Sequence, residues 1–96
     1  MKIDYIPCNV ANYYSGNKRS LSSIKYIVIH YTANNGDTAR GNGIYFGREK
    51  VEASANYFVD QNNIVQSVLD EYAAWHCGGS LESSHHPLRG ICTNKN

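Results

Sequence analysis

The sequence predicts a sheet layered with helices, α/β or α+β in class, and three observations lead there. Lys25-Tyr26-Ile27-Val28-Ile29-His30-Tyr31-Thr32 is dense in β-branched and aromatic residues and apolar on both faces, as a central, buried strand requires. A helix signal follows it, and two further strand-like runs then flank an Asn-rich turn. With 96 residues the chain has room for one domain and one modest core.

Taken in order, residues 1–24 are polar and turn-rich and read as an irregular arm laid over a core. The strand at 25–32 comes next, and Ala33-Asn34-Asn35-Gly36 ends it as a loop. Asp37 or Thr38 then suits the cap of a helix over roughly 38–53, which Gly41, Gly43 and Gly47 weaken. Ala55-Asn56-Tyr57-Phe58-Val59-Asp60, a Gln61-Asn62-Asn63 turn and Ile64-Val65-Gln66-Ser67-Val68-Leu69 read as a hairpin. Regular pattern fades from Asp70 onward, where Gly78-Gly79-Ser80 and Ser83-Ser84-His85-His86-Pro87 are loop chemistry.

Composition excludes several functions. Nine Lys plus Arg nearly cancel eight Asp plus Glu, so a net charge of +1 gives no case for nucleic acid or an anionic membrane. No apolar run approaches the ~20 residues of a membrane span. No apolar stretch follows Lys2, so no signal peptide is expected and the chain is expected to be made in the cytoplasm. Three cysteines without framework spacing (Cys8, Cys77, Cys92) are then expected as reduced thiols. Eight Tyr beside two Phe and one Trp supply flat, hydrogen-bonding surfaces of the kind that line polar ligand grooves.

Two places could carry chemistry. His30 stands at the C-terminal end of the predicted central strand, the edge where layered α/β sheets usually build ligand sites. Position alone leaves two readings open, a core histidine bonded to a neighbour and a metal ligand. Ala73-Ala74-Trp75-His76-Cys77-Gly78-Gly79 joins an aromatic, an imidazole and two glycines, as a loop close to a ligand would; Trp75 could equally cap the core. His85, His86 and Cys92 are zinc-ligand types without zinc-ligand spacing, which favours a solvated loop. No GxSxG, HExxH, phosphate-loop or dinucleotide pattern occurs.

Together the segments resemble a known family. Tyr26-Ile27-Val28-Ile29-His30-Tyr31-Thr32 resembles the first metal-ligand strand of the zinc-dependent N-acetylmuramoyl-L-alanine amidases, which include phage lysozymes of the amidase type and peptidoglycan recognition proteins. Ala53-Ser54-Ala55-Asn56-Tyr57-Phe58-Val59-Asp60 with Ile64-Val65-Gln66 resembles that family's hairpin. Ala74-Trp75-His76-Cys77-Gly78 is similar to its Ala-Trp-His-Ala-Gly loop. The three motifs keep the family's order and cover roughly residues 20–96, leaving 1–20 as the irregular N-terminal arm. The pattern is most similar to phage and prophage endolysins of Gram-positive hosts.

The resemblance implies an α/β fold with a mixed central sheet and flanking helices. It implies a hydrolase that acts on the cell wall after release, cutting the amide between N-acetylmuramic acid and L-alanine in peptidoglycan with zinc-activated water. His30 is implied as one of three zinc (Zn2+) ligands, and Tyr31, Asn56, Trp75 and His76 as the lining of a muropeptide groove. The other two ligands and the catalytic acid are implied to fall beyond residue 96. The expectation is therefore a single, truncated domain over 1–96, incomplete on its C-terminal side, inactive alone and self-associating through an exposed sheet edge. The alternative is a module that binds muropeptide without cutting it.

Overall fold

The computed structural model describes residues 2–32 and 34–76. Its elements are β1 (Ile3–Tyr5), a 3-10 turn (Val10–Asn12), β2 (Tyr13–Tyr14), a second 3-10 turn (Leu21–Ser23), α1 (Ala39–Arg48), β3 (Tyr57–Val59), β4 (Ile64–Gln66) and β5 (Ala73–Ala74). A mixed three-stranded sheet runs β1-β4-β3, and β2 pairs with β5 in a second, two-stranded one. The class is α/β, a mixed sheet with one helix on it among the described residues.

The hairpin forms where its sequence predicts, with Phe58 opposite Val65. Its turn is closed by Asp60, whose Oδ1 accepts from the backbone N–H groups of Asn62 (2.8 Å) and Asn63 (2.7 Å). The same carboxylate reaches the helix: Oδ2 accepts from the Ala39 N–H at 2.8 Å, at the positive end of the helix dipole. Three N–H donors, Ala39 first, hold the Asp60 carboxyl below the usual carboxylate range.

Thr38 is the cap of α1, its hydroxyl accepting from the Gly41 N–H at 3.0 Å. The helix is shorter than its predicted span, because Glu49 already turns extended after bonding the Tyr45 carbonyl. Asn12 accounts for the stop. Fully buried, it donates its amide to the carbonyls of Phe46 (3.0 Å) and Glu49 (2.7 Å), two groups that a helix end leaves orphaned. Its Oδ1 accepts from Val51 (2.8 Å) and Glu52 (2.9 Å) and turns the chain away.

Two glycines weaken α1 as a helix but let it sit close to its neighbours. A Cβ on Gly43 would stand 2.8 Å from Val65 Cγ1, and one on Gly47 would stand 2.7 Å from the Pro7 carbonyl oxygen. One helical turn apart, they form the flat side that faces β4 and the strand exit at Ile6–Pro7. Phe46 stacks on Phe58 with ring centroids 5.2 Å apart, both half-buried, and Val65 beneath the helix is fully buried, contributing about 1.5–3 kcal/mol. Cys8, Val68 and Ala74 form the adjoining core with Tyr13, Phe46 and Tyr72 packed on it. Burial pushes the Cys8 thiol up.

Two sequence expectations are corrected. The arm over 1–20 is not irregular throughout, since β1 pairs in parallel with β4 (Ile3 with Ile64) and β2 pairs with β5 (Tyr13 with Ala74). Backbone ladders recruit these short strands, and apolar alternation gives no sign of them. The predicted central, buried strand at 25–32 is, in contrast, neither strand nor buried. Ile27, Ile29 and Tyr31 are 91%, 90% and 89% exposed, and among the described residues no strand pairs with the segment. A run that is apolar on both faces needs a layer on each side to be buried, and the described residues supply neither.

Candidate functional site at the His30–His76 pair

The second sheet delivers half of the site. Ala73 and Ala74 of β5 are buried against β2, and the chain runs from them directly into Trp75 and His76. Ser54 clamps this exit. Its N–H donates to the Trp75 carbonyl (2.9 Å), and its Oγ accepts from the Trp75 N–H (2.9 Å), two bonds that fix the turn's backbone. His30, carried by the 25–32 segment, supplies the other half: its Nε2 lies 2.9 Å from His76 Nδ1. The rings meet edge to face, with centroids 5.1 Å apart.

One nitrogen of the pair must donate and the other accept, so at least one ring is neutral on that edge. His76 is the better candidate. Burial lowers its pKa first, and the charges of His30 and Arg19 lower it further. Neutral imidazole is the form that binds metal and accepts hydrogen bonds.

The pair opens on a groove of about 390 Å³, whose wall includes Trp75, Phe58, Ser54 and Glu52. A larger depression of about 610 Å³ lies at the start of α1, lined by residues such as Asn34, Asp37 and Thr38. Among the described residues it holds no imidazole or thiol. We therefore place the candidate chemistry in the smaller groove, which is built for a flat or partly apolar ligand with a few polar contacts.

Three of the five predicted site residues, His30, Trp75 and His76, meet in this groove. The other two do not line it. Tyr31 points into solvent. Asn56 serves the fold, its amide donating to the carbonyls of Val68 (3.2 Å), Leu69 (3.4 Å) and Tyr72 (3.2 Å) behind the hairpin. Among the described residues no three His, Cys, Asp or Glu side chains gather as a metal cluster. Cys77, His85, His86 and Cys92 lie outside the described residues.

Sequence reasoning missed Ser54 and Glu52. Ser54 lies inside the hairpin motif without any sign of its link to Trp75. Glu52 has a left-handed backbone, φ 55°, a conformation usually signalled by Gly or Asn.

Comparison with known proteins places this geometry in context. Residues 20–95 match the family model described as N-acetylmuramoyl-L-alanine amidase. The chain is 33% identical over 93 residues to the N-acetylmuramoyl-L-alanine amidase BlyA of Bacillus subtilis (strain 168), a match covering 95% of this chain and 24% of that protein. The chain thus spans about a quarter of the length of this curated relative. No solved structure matches it.

Proposed function

The chain belongs to the N-acetylmuramoyl-L-alanine amidase family, and from that premise we propose that it is the peptidoglycan-binding and zinc-binding part of an endolysin-like hydrolase. Its substrate is the amide between N-acetylmuramic acid and L-alanine in the cell wall. The observation that carries this reading is the meeting of His30, Trp75 and His76 in one groove, from segments far apart in the chain.

The described residues fit a zinc site in part. His30 presents an imidazole nitrogen at the groove, the right donor type, beside a second imidazole whose pKa burial lowers. Catalytic zinc takes three protein ligands, so the remaining ligands and the catalytic acid are proposed to lie outside the described residues. Bound zinc would polarise the scissile carbonyl and lower the pKa of its water. The chain's own residues position and bind. The bond from His76 orients the His30 ring and selects its tautomer. Trp75, held by Ser54, offers an indole face to a sugar or peptide plane.

The test is release of new L-alanine amino groups from purified peptidoglycan, with zinc content measured in the same samples. In the protein that carries this chain, His30→Ala is expected to remove stoichiometric zinc and abolish release, since losing one of three ligands leaves the ion poorly held. Wild-type zinc content in that variant would sink the ligand assignment. Trp75→Ala is expected to weaken muropeptide binding more than it reduces zinc. A second reading, a muropeptide-binding module that does not cut, draws on the two imidazoles without a third ligand among the described residues. Muropeptide binding with no amine release would select it.

A further inference from the structure

Glu52 is the one non-glycine residue with positive φ among the described residues, at 55°. The turn after α1 imposes that conformation, because Asn12 Oδ1 accepts from both Val51 and Glu52. Glycine or asparagine would meet the same demand with little or no strain. The Glu52 side chain gives the fold little in return. It is 68% exposed, and its described ion pair is with Lys50, 67% exposed, at 3.7 Å. Such a pair contributes next to nothing to stability. A strained residue whose side chain the fold does not need is a reason to look at what that side chain faces.

It faces the groove. Of the described residues lining the cavity beside His30 and His76, Glu52 is the one carboxylate; the other walls are Trp75, two Phe and small residues. Among the described residues the groove therefore has one acidic side chain on its wall. We propose that the Glu52 carboxylate is a specificity-determining group that receives a primary ammonium carried by the peptide part of the ligand. The Lys50 ammonium, paired with the same carboxylate in the free protein, marks the chemistry the site accepts. The ligand amine takes its place, with partial desolvation against the groove wall in its favour. This inference rests on the muropeptide reading of the groove and adds to it which feature of the peptide is read.

The experiment is a calorimetric titration of a muramoyl tripeptide whose third residue is lysine, against the same compound acetylated on its ε-amine. Wild-type protein is expected to prefer the free amine by about threefold to fivefold, the most an exposed ion pair supplies. The preference should shrink as salt is raised. Glu52→Gln should bind both compounds equally. Glu52→Gly, which relieves the backbone, should do the same while unfolding at the same or higher urea, which separates loss of recognition from loss of fold. A preference that survives in Glu52→Gln overturns the inference. Equal binding of both compounds by wild type overturns it and leaves the groove reading standing, whereas no binding of either overturns both.

Discussion

Replacing Asn12 with alanine removes four hydrogen bonds made by a side chain with no exposed surface. Each is worth about 1 kcal/mol net. The Glu49 carbonyl loses its donor at the end of α1, where no further helical N–H is available to it, while the Phe46 carbonyl keeps the Asn9 N–H at 2.9 Å. Val51 is half-buried and Glu52 exposed, so water recovers part of their bonding. The loss should come to about 3 kcal/mol, a large part of the 5–15 kcal/mol of an ordinary domain. Urea unfolding followed by the fluorescence of the single tryptophan, Trp75, measures it directly. With an m-value of about 1.5 kcal/mol/M, the midpoint should fall by about 2 M at unchanged slope. Asn9→Ala is the control: it loses the cap bond to the Ala11 N–H at 2.9 Å and a long one to Arg48 at 3.4 Å, about 1 kcal/mol together. An Asn12→Ala midpoint no lower than that of Asn9→Ala would refute the hub role.

Gly47→Ala gains helix propensity yet should lower the melting temperature, because its Cβ would meet the Pro7 carbonyl oxygen at 2.7 Å and backbone must move, at about 1–3 kcal/mol. A raised melting temperature would show that α1 does not approach Ile6–Pro7 as described. Asp60 has a folded-state pKa below its unfolded one, so its contribution is present above the unfolded value of 3.8 and lost as pH falls through the lower, folded value. Acid titration of stability should therefore be less steep in Asp60→Asn than in wild type; identical curves would contradict the cap. The His76 imidazole should titrate by NMR below 6.5 and move partway back up in His30→Ala, with burial still holding it down. A wild-type value at or above 6.5 would mean the ring is neither buried nor beside His30.

What the sequence makes legible is what depends on neighbours in the chain. The β3–β4 hairpin and the Thr38 cap follow from alternation, turn residues and a hydroxyl just before the helix, all local signals. The Trp75-His76 exit and His30 are visible as motifs. The rest depends on partners that no window contains. β1 and β2 are held by ladders to β4 and β5 from across the chain. Asn12 and Asn56 look like turn residues in sequence and act as buried clamps on carbonyls. Segment 25–32 shows the converse failure. Its composition specifies a buried strand, but burial is a property of the layers around it, and among the described residues Ile27 and Ile29 remain in solvent.

The parallel pairing of β1 with β4 also bears on how the molecule assembles. A chain emerging from the ribosome presents Ile3–Tyr5 long before Ile64–Gln66 exists to receive it. The β3–β4 hairpin and α1 have short loops to close and can form on their own schedule, whereas the arm must wait, solvated, for nearly the whole described chain. Its polar, turn-rich composition keeps it soluble during that wait, as an apolar first strand would not. The arm can dock only after β4 and β5 have been made, and docking brings in Cys8 and Asn12, which join the core and end the helix. Recombinant boundaries drawn at residue 20, where the family match begins, would remove that docking step. They would leave α1 without its stop and Glu52 without the clamp that aims it at the groove.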